Sequence, residues 1–229
     1  IVEKLKPDVI INSIGILIKN SSISPKNAIY INAYFPNFLH EISNKFNFKL
    51  IHISTDCVFS GKNGNYSENS YKDANDLYGL TKSLGEINSP NHLTIRTSII
   101  GPEIKKNREG LLNWFLNQEG DTFGFSNALW TGITTYELSK AIYYCLLNDV
   151  NGLWNLSSSQ KINKYDLLSK IKIKFNLEGI NLIKDNNFII DKSMISKRKI
   201  NYIVPSYDIM IEELFEYIKS NRNKYNISI

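Results

Sequence analysis

The sequence predicts an α/β fold built on a parallel sheet, followed by a smaller second lobe, and three observations carry that prediction. Short apolar runs at 9–14, 49–53 and 93–100 read as strands buried on both faces. Helically spaced stretches at 25–46 and 77–87 separate them, the alternation typical of α/β proteins. The second run ends in the polar cluster Ser54-Thr55-Asp56, at the end of a strand where open α/β sheets bind ligands.

The elements follow in order. The opening reads as the end of a helix running through Pro7 into the first strand, after a Lys-Pro-Asp turn. In the helix at 25–46 the inner face is assigned to Ile29, Ala33, Phe38 and Ile42. The segment 58–76 is a long loop rich in turn formers, including Gly61, Asn63, Gly64, Asn65 and Asn69, and loops of that length usually carry function or are disordered. After Gly101-Pro102 the expectations are a helix at 110–117, a short strand at 122–125, a helix at 135–147, a strand at 152–156, and helices at 165–175 and 209–219. A soft boundary near Gly101 divides 1–101 from 102–229, with strands of the second part free to return to the first sheet.

At 229 residues, 42% hydrophobic and 21% charged, the chain can bury a substantial core. Its net charge of +5 comes from lysines scattered between Lys4 and Lys224, with no basic stripe interleaved with stacking aromatics. Nucleic acid is therefore not an expected partner. Cys57 and Cys145 stand far apart in unlike contexts, which fits a reducing, cytoplasmic compartment. No apolar run is long enough to span a membrane, and there is no charged-then-apolar leader. The chain opens at Ile1 near the end of a helix, the pattern expected of a fragment.

Tyr78 and Lys82, spaced i and i+4, share one helical face. A neighbouring ammonium favours the phenolate, so this tyrosine is a candidate for moving a proton near neutral pH. With 13 tyrosines in the chain the spacing alone is weak, and Tyr136 with Lys140 repeats it without a polar strand end upstream. That second pair reads as structural. Thr55 by itself reads more as a strand-end turn residue than as a functional one; together with Tyr78 and Lys82 it reads as a ligand to the same substrate oxygen. His40, His52 and His92 form no metal-ligand spacing, and His52 reads as packed within a strand. Cys57 reads as a small buried residue more than a reactive thiol. Arg96 is either a buried structural cation or a phosphate contact.

The run STDCVFSGKNGNYSEN, then YGLTKSLGE, then LTIRTSIIGPE, preceded by KPDVIINSIG and YINAYFPNFLHEIS, closely resembles extended short-chain dehydrogenase/reductases of the dTDP-4-dehydrorhamnose reductase branch. The resemblance is strong over about 6–102 and loose beyond. It implies a Rossmann-like, doubly wound parallel sheet with its first strands missing and a smaller C-terminal α/β substrate lobe. Residues 1–101 would be the C-terminal part of a dinucleotide-binding domain, and 102–229 mainly the lobe that binds substrate. It also implies NADPH or NADH as cofactor and reduction of a nucleotide-linked 4-keto-6-deoxy sugar for surface polysaccharide synthesis. Tyr78 would protonate the carbonyl oxygen, Thr55 would orient it, and Lys82 would hold the nicotinamide ribose and depress the tyrosine pKa. Ile14, Gly15, Ile16 and Ser54 would lie against the cofactor; Asp56 and Ile99, with Thr55, would border the sugar. Asn32 matches a family asparagine, either in an active-site water network or bending its helix.

The sequence departs from the pattern in three places. The glycine-rich turn G-x-x-G-x-x-G that cradles pyrophosphate does not occur, a deficit of roughly 50 to 60 residues at about 30 per strand-helix-strand unit. Cys57 and Ile99 stand where the rhamnose-forming enzymes carry tyrosine and tryptophan. Trp130 is either core packing or a replacement aromatic near the nucleotide. A nucleotide-sugar epimerase and a non-catalytic regulatory subunit of the same fold are the alternative functions, and a homodimer is expected by analogy alone.

Overall fold

The computed structural model describes residues 1–104 and 109–225. Its strands are β1 (Val9–Asn12), β2 (Lys49–Thr55), β3 (Leu93–Thr97), β4 (Ile99–Ile100), β5 (Gly120–Trp130), β6 (Ile133–Thr134), β7 (Gly152–Asn155), β8 (Ile162–Asn163) and β9 (Ile180–Asp191). The principal sheet is all parallel, in the order β1-β2-β3-β7. This is the Rossmann-like α/β fold that the sequence predicts. The return of β7 to pair with β3 brings residues beyond Gly101 back into the first sheet.

The central strands are buried throughout β3 and nearly so in β2. β1 departs from the expectation of a strand covered on both faces. Among the described residues it pairs only with β2, at the edge of the sheet, and Ile11 is half exposed.

A second layer comes from β8-β5-β9, in which β5 runs parallel to β9 over most of its length and antiparallel to β8. The helices Thr135–Leu147, Lys164–Lys174 and Tyr207–Ser220 share one large core with Ile95, Leu112, Phe115 and Trp154. Each begins with an N-cap side chain, Thr134, Asn163 or Ser206, accepting from the backbone N–H three residues on. The loop after β2 is folded rather than loose. Phe59 stacks on Tyr66 with ring centroids 4.2 Å apart, and Val58, Phe59, Tyr66 and Met194 make a small core between loop and second lobe.

The helix expected at 25–46 is three joined pieces, Pro25–Ala28, a π-helical Ile29–Tyr34 and Phe35–Phe46. The wider π turn adds a residue per turn and rotates the inward face. Ala28, Asn32, Ala33, Pro36 and Leu39 are consequently buried, while Ile29 and Phe38, assigned inward from an unbroken 3.6 period, are on the outside.

Candidate active site

β1, β2 and β3 all end on one side of the sheet, and the segments that leave them wall a cleft of about 760 Å³. Ser13, Ile14, Gly15, Leu17 and Ile18 come from the exit of β1, Ser54 to Cys57 from β2, and Thr97 to Ile99 from β3. Tyr78 and Lys82 complete the lining from the helix Leu77–Leu84, which Asp76 caps by accepting from Gly79 N–H at 2.9 Å. The sequence-predicted residues Ile14, Gly15, Ser54, Thr55, Asp56, Tyr78, Lys82 and Ile99 thus meet in one cavity.

Two glycines let the helix sit this close. A β-carbon on Gly79 would stand 2.3 Å from the Cys57 carbonyl oxygen, and one on Gly85 would stand 1.9 Å from the Asn32 carbonyl oxygen. Both are impossible contacts, so the helix can pack against these backbones only without side chains at the two positions.

Ile16 faces a neighbour rather than the cleft: its N–H donates to Asn32 Oδ1 at 2.8 Å and its carbonyl accepts from Asn32 Nδ2 at 2.9 Å. Asn32 Nδ2 also reaches Thr81 Oγ1 at 3.2 Å. The fully buried Asn32 therefore pins the exit of β1 to the helix of Tyr78 and Lys82, a clamp that neither reading of this residue anticipates.

Lys82 is buried and donates to the Ile53 carbonyl oxygen at 2.7 Å. Burial pulls its pKa down to about 8, with the Glu86 carboxylate opposing. Tyr78 behaves differently from the expectation of a depressed pKa. Its pKa is raised, first by burial and then by the charges of Cys57, Asp56 and Asp76, against a lowering hydrogen bond from Thr55. The Lys82 ammonium is turned to the Ile53 carbonyl, and a tyrosine so placed stays protonated at neutral pH, the form that can donate a proton. Burial likewise pushes the Cys57 thiol up to about 12, an unreactive state.

Behind the cleft lies a buried ionic network that the sequence reading did not find. Arg96 donates from Nε and from Nη2 to the two oxygens of Glu86, both at 2.8 Å, and stacks on Phe59 at 5.0 Å. Glu86 also accepts from Ser54 Oγ at 2.7 Å and from Lys72 Nζ at 3.1 Å. Arg96 is thereby the structural cation of its two readings. Glu86 closes the run YGLTKSLGE, and its place one turn beyond Lys82 was the available signal.

The remaining predicted residues take structural parts. Lys140 pairs with Glu137 and Glu213, both at 2.7 Å. His52 is buried, bonded to Asn12 at 3.1 Å, and burial first, then Lys82, lowers its pKa to about 3. Among the described residues no group of histidine, cysteine and carboxylate side chains could hold a metal ion, and no helix is long and apolar enough to cross a membrane. Trp130 is buried in the core.

The family model described as the RmlD substrate binding domain matches residues 1–187. Methionine adenosyltransferase 2 subunit beta of Danio rerio is 29% identical over 147 residues, covering 58% of this chain and 46% of that protein. A dTDP-4-dehydrorhamnose reductase of Aggregatibacter actinomycetemcomitans is 32% identical over 104 residues, 43% of this chain and 35% of that one. The chain thus aligns with less than half the length of either. The crystal structure of dTDP-4-dehydrorhamnose reductase from Bacillus anthracis in complex with NADP superposes with a TM-score of 0.80 at 19% identity, covering 94% of this chain and 82% of that one. That likeness speaks for the fold.

Proposed function

The chain belongs to the RmlD substrate binding domain family, and on that footing we propose that it is the catalytic and substrate-binding part of an NAD(P)H-dependent reductase. Its substrate is a nucleotide-linked 4-keto-6-deoxy sugar, destined for surface polysaccharide, and its compartment is the cytoplasm. The observation that carries the reading is the convergence of Thr55, Tyr78 and Lys82 on one cleft at the carboxyl ends of parallel strands.

Reduction of a ketone needs a proton on the oxygen as a hydride arrives at carbon; NAD(P)H, when bound, supplies the hydride. Tyr78, held protonated by burial, donates the proton. The Thr55 hydroxyl orients the carbonyl, and Asp56 accepts from a sugar hydroxyl. The donor set fits the nicotinamide end of the cofactor: an ammonium and a serine hydroxyl from Lys82 and Ser54 for the ribose, and an apolar wall of Ile14, Leu17 and Ile18 for the ring. The pyrophosphate end finds no glycine-rich turn in this sequence.

The homodimer expected by analogy also belongs to this reading. Tyr30, Tyr34 and Phe38 stack in an exposed ladder beside exposed Leu80 and Leu84, an apolar face suited to a second copy. A second function is favoured by one observation, the match to a subunit of methionine adenosyltransferase: a protein of this fold that binds another enzyme.

The test is oxidation of NADPH and of NADH by the purified protein with nucleotide-linked 4-keto sugars. Turnover dependent on the keto sugar supports the reductase. Cofactor binding with no turnover on any such sugar, alongside a tight complex with a second enzyme, would replace it with the subunit reading.

A further inference from the structure

At the amino ends of the parallel strands, opposite the cleft, a histidine ring takes the place of a strand carbonyl. In β2 the Lys49 N–H bonds the Asp8 carbonyl oxygen at 2.8 Å, on the β1 side. Successive N–H groups of a strand point to opposite neighbours, so the Leu50 N–H points towards β3. β3 begins only at Leu93, which stands opposite Ile51. The residue before it, His92, meets the Leu50 N–H with its ring, Nδ1 accepting at 3.1 Å. The His92 carbonyl oxygen is taken by the Gly152 N–H of β7 at 2.6 Å. One residue thus reaches β2 with its side chain and β7 with its backbone.

The bonds around the ring fix its charge. A backbone N–H only donates, so Nδ1 holds a lone pair and the ring hydrogen is on Nε2. Nε2 lies 2.9 Å from Ser43 Oγ, which donates onward to the His40 carbonyl oxygen at 2.6 Å. The neutral tautomer satisfies every one of these partners. A second proton would go on Nδ1, where it would face the Leu50 N–H and break the bond between them.

No counter-charge is at hand for such a proton. His92 is 4% exposed. Helix Phe35–Phe46 presents the His40 ring edge-on at 5.1 Å, and β2 presents Lys49. The chain after helix Thr135–Leu147 presents Asp149, which Lys49 occupies at 2.8 Å. Among the described residues no carboxylate makes an ion pair with the His92 ring. Burial first, then His40 and Lys49, lowers the His92 pKa from the ordinary histidine value of 6.5.

We infer that His92 is an acid-sensitive tie between β2 and β3: its ring holds the amino end of the sheet together only while neutral, and acid opens that end by protonating it. Above pH 6.5 neither the folded nor the unfolded chain carries a proton here. Below it the unfolded chain takes a proton that the folded chain refuses, so stability falls with pH until the lowered folded value is reached. One refused proton changes the unfolding equilibrium by about tenfold per pH unit. The strand that loses its rung is the one that carries Ser54 and Thr55 to the cleft. His52, also buried with a lowered pKa, acts in the same direction, so the part of His92 is read as a difference.

His92→Asn supplies that difference, because its Oδ1 stands where Nδ1 stood, accepts from the same N–H and takes no proton. Urea unfolding of both proteins between about pH 6.5 and about pH 5 should show the wild type losing stability faster, its unfolding constant growing by about five- to tenfold more per pH unit than that of the variant. A difference below about twofold per pH unit would overturn the tie. Ring-nitrogen NMR of protein carrying isotope-labelled histidine reads the same ring directly, the His92 signals being those that His92→Asn lacks. They should show a hydrogen on Nε2, a bare Nδ1, and a ring still neutral in the folded protein below pH 6.5. A hydrogen on Nδ1, or a charged ring in the folded protein at pH 6.5, would equally overturn the tie. If His92→Asn does not fold, the spectra of His40→Gln and His52→Gln identify the His92 ring by elimination and the NMR result decides. Neither measurement uses turnover, so both are independent of the reductase reading.

Discussion

Replacing Arg96 by methionine isolates the energetic keystone behind the cleft. The substitution keeps much of the side-chain volume but removes two 2.8 Å bonds to Glu86 and the stacking on Phe59. The side chains of Arg96 and Glu86 are 1% and 4% exposed, so the abandoned carboxylate cannot recover solvent. Breaking a buried pair in this way costs about 3 to 5 kcal/mol. Ser54 and Lys72 remain as partners, and Lys72 is a third exposed, so its screened attraction offsets little and the lower end applies. About 3 kcal/mol should appear in urea unfolding followed by far-ultraviolet circular dichroism, with a fall in melting temperature of roughly 6 to 12 °C. The double variant Glu86→Gln, Arg96→Met should recover part of the loss, because no buried charge is stranded. A loss below about 1 kcal/mol in the single variant, or none recovered in the double, would refute the reasoning.

Burial alone would raise the Glu86 carboxyl, but Arg96 first, then Ser54 and Lys72, hold it below the ordinary glutamate value of 4.5. Its stabilisation should therefore be complete above pH 4.5 and be lost as pH falls through the depressed folded value; acid titration of Arg96→Met should show that dependence weakened. Lys82, at about 8, gives the opposite sign: its ammonium is present below that pH and lost above it, so kcat/KM should decline above about pH 8, and a profile flat through pH 9 would exclude it. Gly79→Ala should destabilise by about 1 to 3 kcal/mol in the same urea assay, since its methyl would press on the Cys57 carbonyl.

The principal sheet and the cleft could be read from local pattern, because β2 and β3 are continuous apolar runs and the Tyr78 and Lys82 spacing is set by one helix. Of the second sheet only the strand at 122–125, within β5, is legible in this way. β9 carries exposed Phe188 and Ile189, and in the first half of β5 the buried positions are Thr122 and Gly124 while Phe123 and Phe125 face out. Alternation of apolar and polar residues thus points the wrong way, and only the pairing of these two distant segments defines them. The π turn at Ile29–Tyr34 defeated the helical period for a similar reason: it exists to bring Asn32 to Ile16 and Thr81, contacts that no local window contains.

On the proposed reading Tyr78 gives the proton to a sugar carbonyl. Tyr78→Phe removes one oxygen and leaves the ring that packs against the cleft. Turnover of the keto sugar with NAD(P)H should fall by about two or more orders of magnitude, with cofactor binding by fluorescence titration unchanged. Undiminished turnover in that variant would contradict the account.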